Sequence, residues 1–76
     1  MTKQEIKLKL PQGDFINLDA EMIQDVSKKI GSDCYIYQES GMYTFICEDK
    51  EYLRFSTNKK VEIYAYMCVI LNFKIK

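Results

Sequence analysis

Apolar and polar positions alternate in "EIKLKLP", where Ile6, Leu8 and Leu10 stand against Lys7 and Lys9. That period of two predicts a half-buried strand. Pro11 stops it and "QGD" supplies a turn. From Asn17 the period lengthens. Met22, Ile23, Val26 and Ile30 recur at the spacing of one helix face, with Glu21, Gln24, Asp25, Lys28 and Lys29 elsewhere. A side-chain oxygen of Asn17 or Asp19 can cap this helix. Asp19 and Glu21 suit its positive end, Lys28 and Lys29 its negative end, and Gly31 ends it. "CYIYQESGMYTFICED" then predicts two strands around a turn at Glu39-Ser40-Gly41.

"KEYLRFSTNKK" has too few apolar positions for a long helix; residues 50–58 fit a strand or a short helix, and "STNKK" reads as a polar loop. In the closing stretch "VEIYAYMCVILNFKIK" every odd position is apolar: Val61, Ile63, Ala65, Met67, Val69, Leu71, Phe73 and Ile75. This predicts a final strand. The expected order is β-α-β-β-(β or short helix)-β. One main helix would cover one face of a mostly antiparallel sheet, an α+β open-faced sandwich with its other face in solvent. Residues 1–76 form a single expected domain, since 76 residues supply one core at most.

The closing stretch also resembles half of a membrane anchor, but its unbroken apolar core, Ile63 to Leu71, is far shorter than the roughly 20 residues of a spanning helix. Both faces are apolar around Met67 to Leu71. The expectation is therefore a strand that bends across the core or pairs along its edge with a second chain, giving a homodimer through the C-terminal strand. The N-terminus "MTKQEIKLKL" lacks the apolar run of a secretory signal, and a cytoplasmic location is expected.

Charge narrows the partners. Lysine plus arginine total 11 and aspartate plus glutamate total 11, so no basic excess attracts a polyanion. Cys34, Cys47 and Cys68 are widely spaced and form no C-x-x-C pair, which favours reduced, packed thiols over a disulfide framework or zinc site. There is no histidine. A cysteine nucleophile would lack its usual base. Glu48, Asp49 and Glu51 could hold a hard cation but miss calcium-loop spacing and enclose Lys50. Gly13, Gly31 and Gly41 are isolated and form no phosphate-cradling loop. The reading is therefore not an enzyme, with no catalytic residue, metal or cofactor.

The stretch "LDAEMIQDVSKKIGSDCYIYQESG" resembles the first helix and following strand of HPr, the phosphocarrier family of the sugar phosphotransferase system. The similar features are Ala20 and Met22 near the helix start, Ser27-Lys28 near its end, Ser32-Asp33 before the strand and Gly41 at the hairpin. Aligned without gaps, the resemblance covers residues 4 to 66, with "VEIYA" in the place of the family's last strand. It implies an HPr-like sandwich without the family's chemistry. Ile16 or Asn17 stands where the phosphate-accepting histidine belongs, and the neighbouring arginine is also missing. The family's regulatory serine falls near Glu48. "DKEY" replaces its "SIMG" short helix, and "MCVILNFKIK" offers no counterpart to its C-terminal helix. Phosphotransfer through a histidine is excluded.

Binding is the remaining class. If the helix covers the Ile36 and Ile63 side, Tyr35, Tyr37, Tyr64 and Tyr66 gather on the open sheet face, a rigid contact surface with polar tips. Tyrosine is also an ordinary residue of a wet sheet face. The expected partner is another protein, engaged through these tyrosines and the acidic Glu48, Asp49 and Glu51. The role would be that of a small regulator or inhibitor, either a degenerate HPr-like protein or a phage or mobile-element inhibitor of a host enzyme. The competing readings are single-stranded nucleic acid stacked on the tyrosines, and a small enzyme with a hidden Cys or metal site.

Overall fold

Of the two cap candidates, Asn17 and Asp19, it is Asp19 that caps the central helix. In the computed structural model, which describes residues 2–72, its Oδ1 accepts the Met22 N–H at 3.0 Å. Helix α2 runs Ala20–Ile30 and buries Val26 and Ile30. Gly31 ends it at φ 79°, a left-handed conformation that glycine adopts without strain. The hairpin follows as strands β2, Cys34–Glu39, and β3, Met42–Cys47. Its turn residues Ser40 and Gly41 both have positive φ, 50° and 78°, the twist that a two-residue hairpin turn needs.

A four-stranded antiparallel sheet is built on this hairpin, completed by two short edge strands. Strand β1, Asp14–Ile16, pairs with β2, and β4, Phe55–Thr57, pairs with β3, in the order β1-β2-β3-β4. The fold is α+β with an antiparallel sheet, as the pattern predicts. Residues 50–58 resolve into a 3-10 turn, Glu51–Leu53, followed by β4.

Both ends of the chain depart from the expected order. The predicted first strand is a helix, α1, Lys3–Lys9. Thr2 and Glu5 form a capping box: the Glu5 N–H donates to Thr2 Oγ1 at 3.3 Å and the Thr2 N–H donates to Glu5 Oε1 at 3.2 Å. Ile6 and Leu10 lie four residues apart and pack against the sheet, while Leu8 is 82% exposed. The first strand is instead β1, within residues expected to be a turn and helix approach.

The predicted last strand is also a helix, α3, Lys60–Asn72. It buries Ile63, Met67 and Ile70 at helical spacing. Its polar handles pin it down. Tyr64 Oη donates to the Leu18 carbonyl at 3.1 Å, Tyr66 Oη donates to the Leu53 carbonyl at 2.7 Å, and Lys29 Nζ donates to the Leu71 carbonyl. "VEIYA" therefore begins a helix. From β1 onward the order is strand, helix, hairpin, short helix, strand, helix: the stretch expected as a strand or a short helix contains one of each, and the C-terminal helix stands where a strand was expected. Phe73 and Ile75 lie outside the described residues.

The sheet is covered on both faces. Helices α2 and α3 lie on one, over a core that includes Val26, Ile36, Phe45, Cys47, Ile63 and Met67. Helix α1 covers part of the other, where Ile6, Tyr37 and Ile46 are buried together with Leu10, Phe15 and Tyr35 at their margin. The open face expected in solvent is thus reduced to the margins of α1.

Candidate binding face

The four tyrosines do not share a surface. Tyr35 and Tyr37 project from β2 toward α1, whereas Tyr64 and Tyr66 belong to α3 on the other side of the sheet. Tyr37 is buried, and its hydroxyl accepts the Gly13 N–H at 3.1 Å. Tyr66 stacks on Phe55 at 4.6 Å and meets Phe45 edge-on at 5.4 Å; burial raises its hydroxyl pKa above the usual range. The gathering expected on one open face required a terminal strand, and a helix places residues 64 and 66 on the flanks of a packed face instead.

Tyr35 is half-buried and donates from Oη to Glu48 Oε1 at 2.7 Å. Burial first, then this hydrogen bond to Glu48, hold the phenol proton well above the ordinary range. Lys3 stands over the Tyr35 and Phe15 rings at 5.3 and 4.8 Å, so the tyrosine supports α1 on one side and the end of β3 on the other. Asp49 donates its N–H to Ser32 Oγ at 3.0 Å, and Glu51 starts the 3-10 turn. Among the described residues, no three His, Cys, Asp or Glu side chains come together to hold a metal ion.

Glu48 and Asp49 line a wide polar recess with Ser32 and Lys28. A more apolar concave surface lies beside α1, and of the residues predicted as a binding site it uses Glu51 alone. Ile6, Lys9, Leu10, Ile46 and Arg54 line a cavity of about 120 Å³. A recess of about 290 Å³ shares Lys9, Ile46 and Arg54 and adds Cys47 and Glu51, so the two form one groove between α1 and the β3 to β4 connection. Its construction follows from the capping box: starting the helix at Thr2 turns Ile6 and Leu10 inward and leaves Lys9 at the rim. Arg54 closes the 3-10 turn through its backbone N–H, which donates to the Glu51 carbonyl at 3.1 Å. It is the chain's one arginine, and among the described residues its guanidinium makes no hydrogen bond or ion pair.

The groove therefore combines an aliphatic floor with two cations and one acid, Glu51, of the set predicted from sequence. An arginine fork takes a carboxylate through two parallel hydrogen bonds, and a cavity of this size holds one branched aliphatic side chain. Arg54 carried a sequence signal only in its singularity. Lys9 carried none, because a strand reading puts it in solvent. A second exposed apolar feature is the outer side of α3, where Val61, Ala65, Cys68 and Val69 face away from the core. Among the described residues no helix is long and apolar enough to cross a membrane. Comparison of the chain with protein-family profiles, with curated proteins and with solved structures found no match.

Proposed function

We propose that this chain is a non-catalytic protein-binding module. Its groove beside α1 takes a short partner segment that carries an aliphatic side chain next to a carboxylate. The single observation that supports the reading is the pairing of Lys9 and Arg54 over the apolar floor of Ile6, Leu10 and Ile46. The Arg54 guanidinium makes no hydrogen bond or ion pair among the described residues and can take an incoming carboxylate, Lys9 adds positive charge at the rim, and the aliphatic pocket adds burial. The role suits a small regulator or inhibitor that acts by occupying a surface of its partner.

Selection from a random peptide library on the immobilised chain tests this. Bound peptides should carry Leu, Ile or Val next to Asp or Glu. Arg54→Glu should weaken them by at least about tenfold, an ordinary loss for a charge-assisted contact worth about 1.4 kcal/mol. Enrichment of basic or purely aromatic peptides, or binding indifferent to Arg54→Glu and Lys9→Glu, defeats the reading.

A second reading, a homodimer, is favoured by the outer side of α3. The pairing expected along a strand edge becomes helix against helix, with Val61, Ala65, Cys68 and Val69 small enough to allow close approach. Light scattering over a concentration series reads it directly, and Val69→Lys should return any dimer to monomer. A monomer throughout removes this reading and leaves the groove untouched.

A further inference from the structure

Cys34 opens β2 and Cys47 closes β3, and the two stand directly opposite each other in the ladder. Paired residues in an antiparallel hairpin alternate between those that exchange backbone hydrogen bonds and those that do not. Counting outward from Glu39 and Met42, which close the two-residue turn, places Cys34 and Cys47 in the second class. The surrounding bonds agree. The Cys34 N–H donates sideways to Ser27 Oγ at 3.1 Å, while the next pair outward is bonded, with the Glu48 N–H donating to the Asp33 carbonyl at 3.0 Å. Opposed residues of this class lie about 4.5 Å apart at Cα, within the roughly 4.4–6.8 Å that a disulfide spans. The two Sγ atoms are 3.4 Å apart, and both thiols are free and buried.

We infer that Cys34 and Cys47 form an oxidation site, in which hydrogen peroxide, a small two-electron oxidant, converts the facing thiols into an intrachain cross-strand disulfide. One sulfur attacks the terminal peroxide oxygen: an S–O bond forms, the O–O bond breaks, and the departing oxygen leaves as water with the thiol proton. The facing sulfur then displaces the hydroxyl group: the S–S bond forms, the S–O bond breaks, and a second water leaves with the second thiol proton. Two thiols and one peroxide give one disulfide and two waters. Burial selects a small oxidant, since a bulky mixed disulfide has no room between the sheet and the helices. The burial that pushes the Cys34 thiol up to about 12 also makes the reaction slow in the closed fold. The bond would tie the open end of the hairpin beside Ile46 and Glu48, fixing the strand that floors the groove. Cys68 lies exposed on α3, and the geometry gives it no part.

The test uses the full chain carrying Cys68→Ser, which leaves only the two facing thiols. Reduced protein is exposed to hydrogen peroxide, quenched, denatured and alkylated with N-ethylmaleimide. The expected product is lighter than the starting protein by two hydrogen atoms, takes up no maleimide, and yields on digestion a peptide linking Cys34 to Cys47. Uptake of two maleimides overturns the proposal, as does protein with sulfinic acid and no link, or a link between chains. Wild-type protein treated in parallel should carry the same Cys34–Cys47 peptide, whatever the oxidation state of the exposed Cys68. A link through Cys68 instead also overturns it.

Discussion

The Gly13 backbone N–H donates to the Tyr37 hydroxyl in the buried layer between α1 and the sheet, at 3.1 Å. Lys7 reaches the same loop, donating from Nζ to the Gly13 carbonyl and pairing with Asp14 at 3.3 Å. The connection between α1 and β1 is thereby fixed onto β2. Tyr37→Phe removes this acceptor and leaves the Gly13 donor only its long 3.5 Å bond to the Leu10 carbonyl, an expected loss of about 1 kcal/mol. Gly13→Ala should cost more, because an added Cβ would lie 2.5 Å from both the Gln38 carbonyl oxygen and a Tyr37 ring carbon. Urea denaturation of the two variants measures both losses. A Gly13→Ala protein as stable as the parent would show that α1 is not docked as described.

The central elements were legible because several local signals agreed. Asn17 or Asp19 before a helical period, Gly31 after it, and Ser40-Gly41 between aromatic arms all point to the same elements. The ends failed for opposite reasons. Ile6, Leu8 and Leu10 satisfy a strand, yet Ile6 and Leu10 alone satisfy a helix, and the Thr2 to Glu5 capping box outweighs the exposure of Leu8. In α3 the even positions Tyr64, Tyr66, Cys68 and Ile70 are as apolar as the odd ones, so periodicity could not separate the two structures and length was the better guide. The cysteine pair was within reach: two strands folded about Ser40-Gly41 put residues 34 and 47 opposite each other. The groove was not, since it depends on α1 being a helix.

The register of α3 separates the two readings of that segment by experiment. A helix buries Ile70, 5% exposed, and leaves Val69 49% exposed, whereas a strand with odd positions inward would bury Val69. Ile70→Ala should cost about 2–5 kcal/mol by transfer and cavity formation. Val69→Ala should stay within about 0.5 kcal/mol. Chemical denaturation decides it, and the reverse ranking would restore the strand.

The N-terminal helix should respond to acid through Glu5. Its carboxylate is held below its ordinary value of 4.5 by the Thr2 backbone N–H and then by the Thr2 hydroxyl. A depressed folded value means that the capping contribution is complete above pH 4.5 and is lost as pH falls through the lower folded value. Fraying should be confined to α1, visible as an acid-dependent shift of the Thr2 and Glu5 amide resonances. Glu5→Gln should abolish that step. A step that persists in Glu5→Gln must come from another carboxylate.

Thiol reactivity should divide the three cysteines sharply. Burial first, and then the hydrogen bond with the Cys47 thiol, push Cys34 from 9.0 up to about 12. The neutral thiol is the form that the fold favours. Its contribution to stability is therefore complete below pH 9.0 and declines as pH rises toward about 12, because the unfolded chain ionises first. Alkylation requires a thiolate within reach of solvent. Iodoacetamide added to reduced native protein at pH 9 should modify Cys68, which is exposed, and leave buried Cys34 and Cys47 intact until the chain unfolds. Adding denaturant should bring all three to a similar rate. Equal labelling of the three in native protein would mean that the hairpin end opens freely, with the two thiols no longer held in the core under α2 and α3.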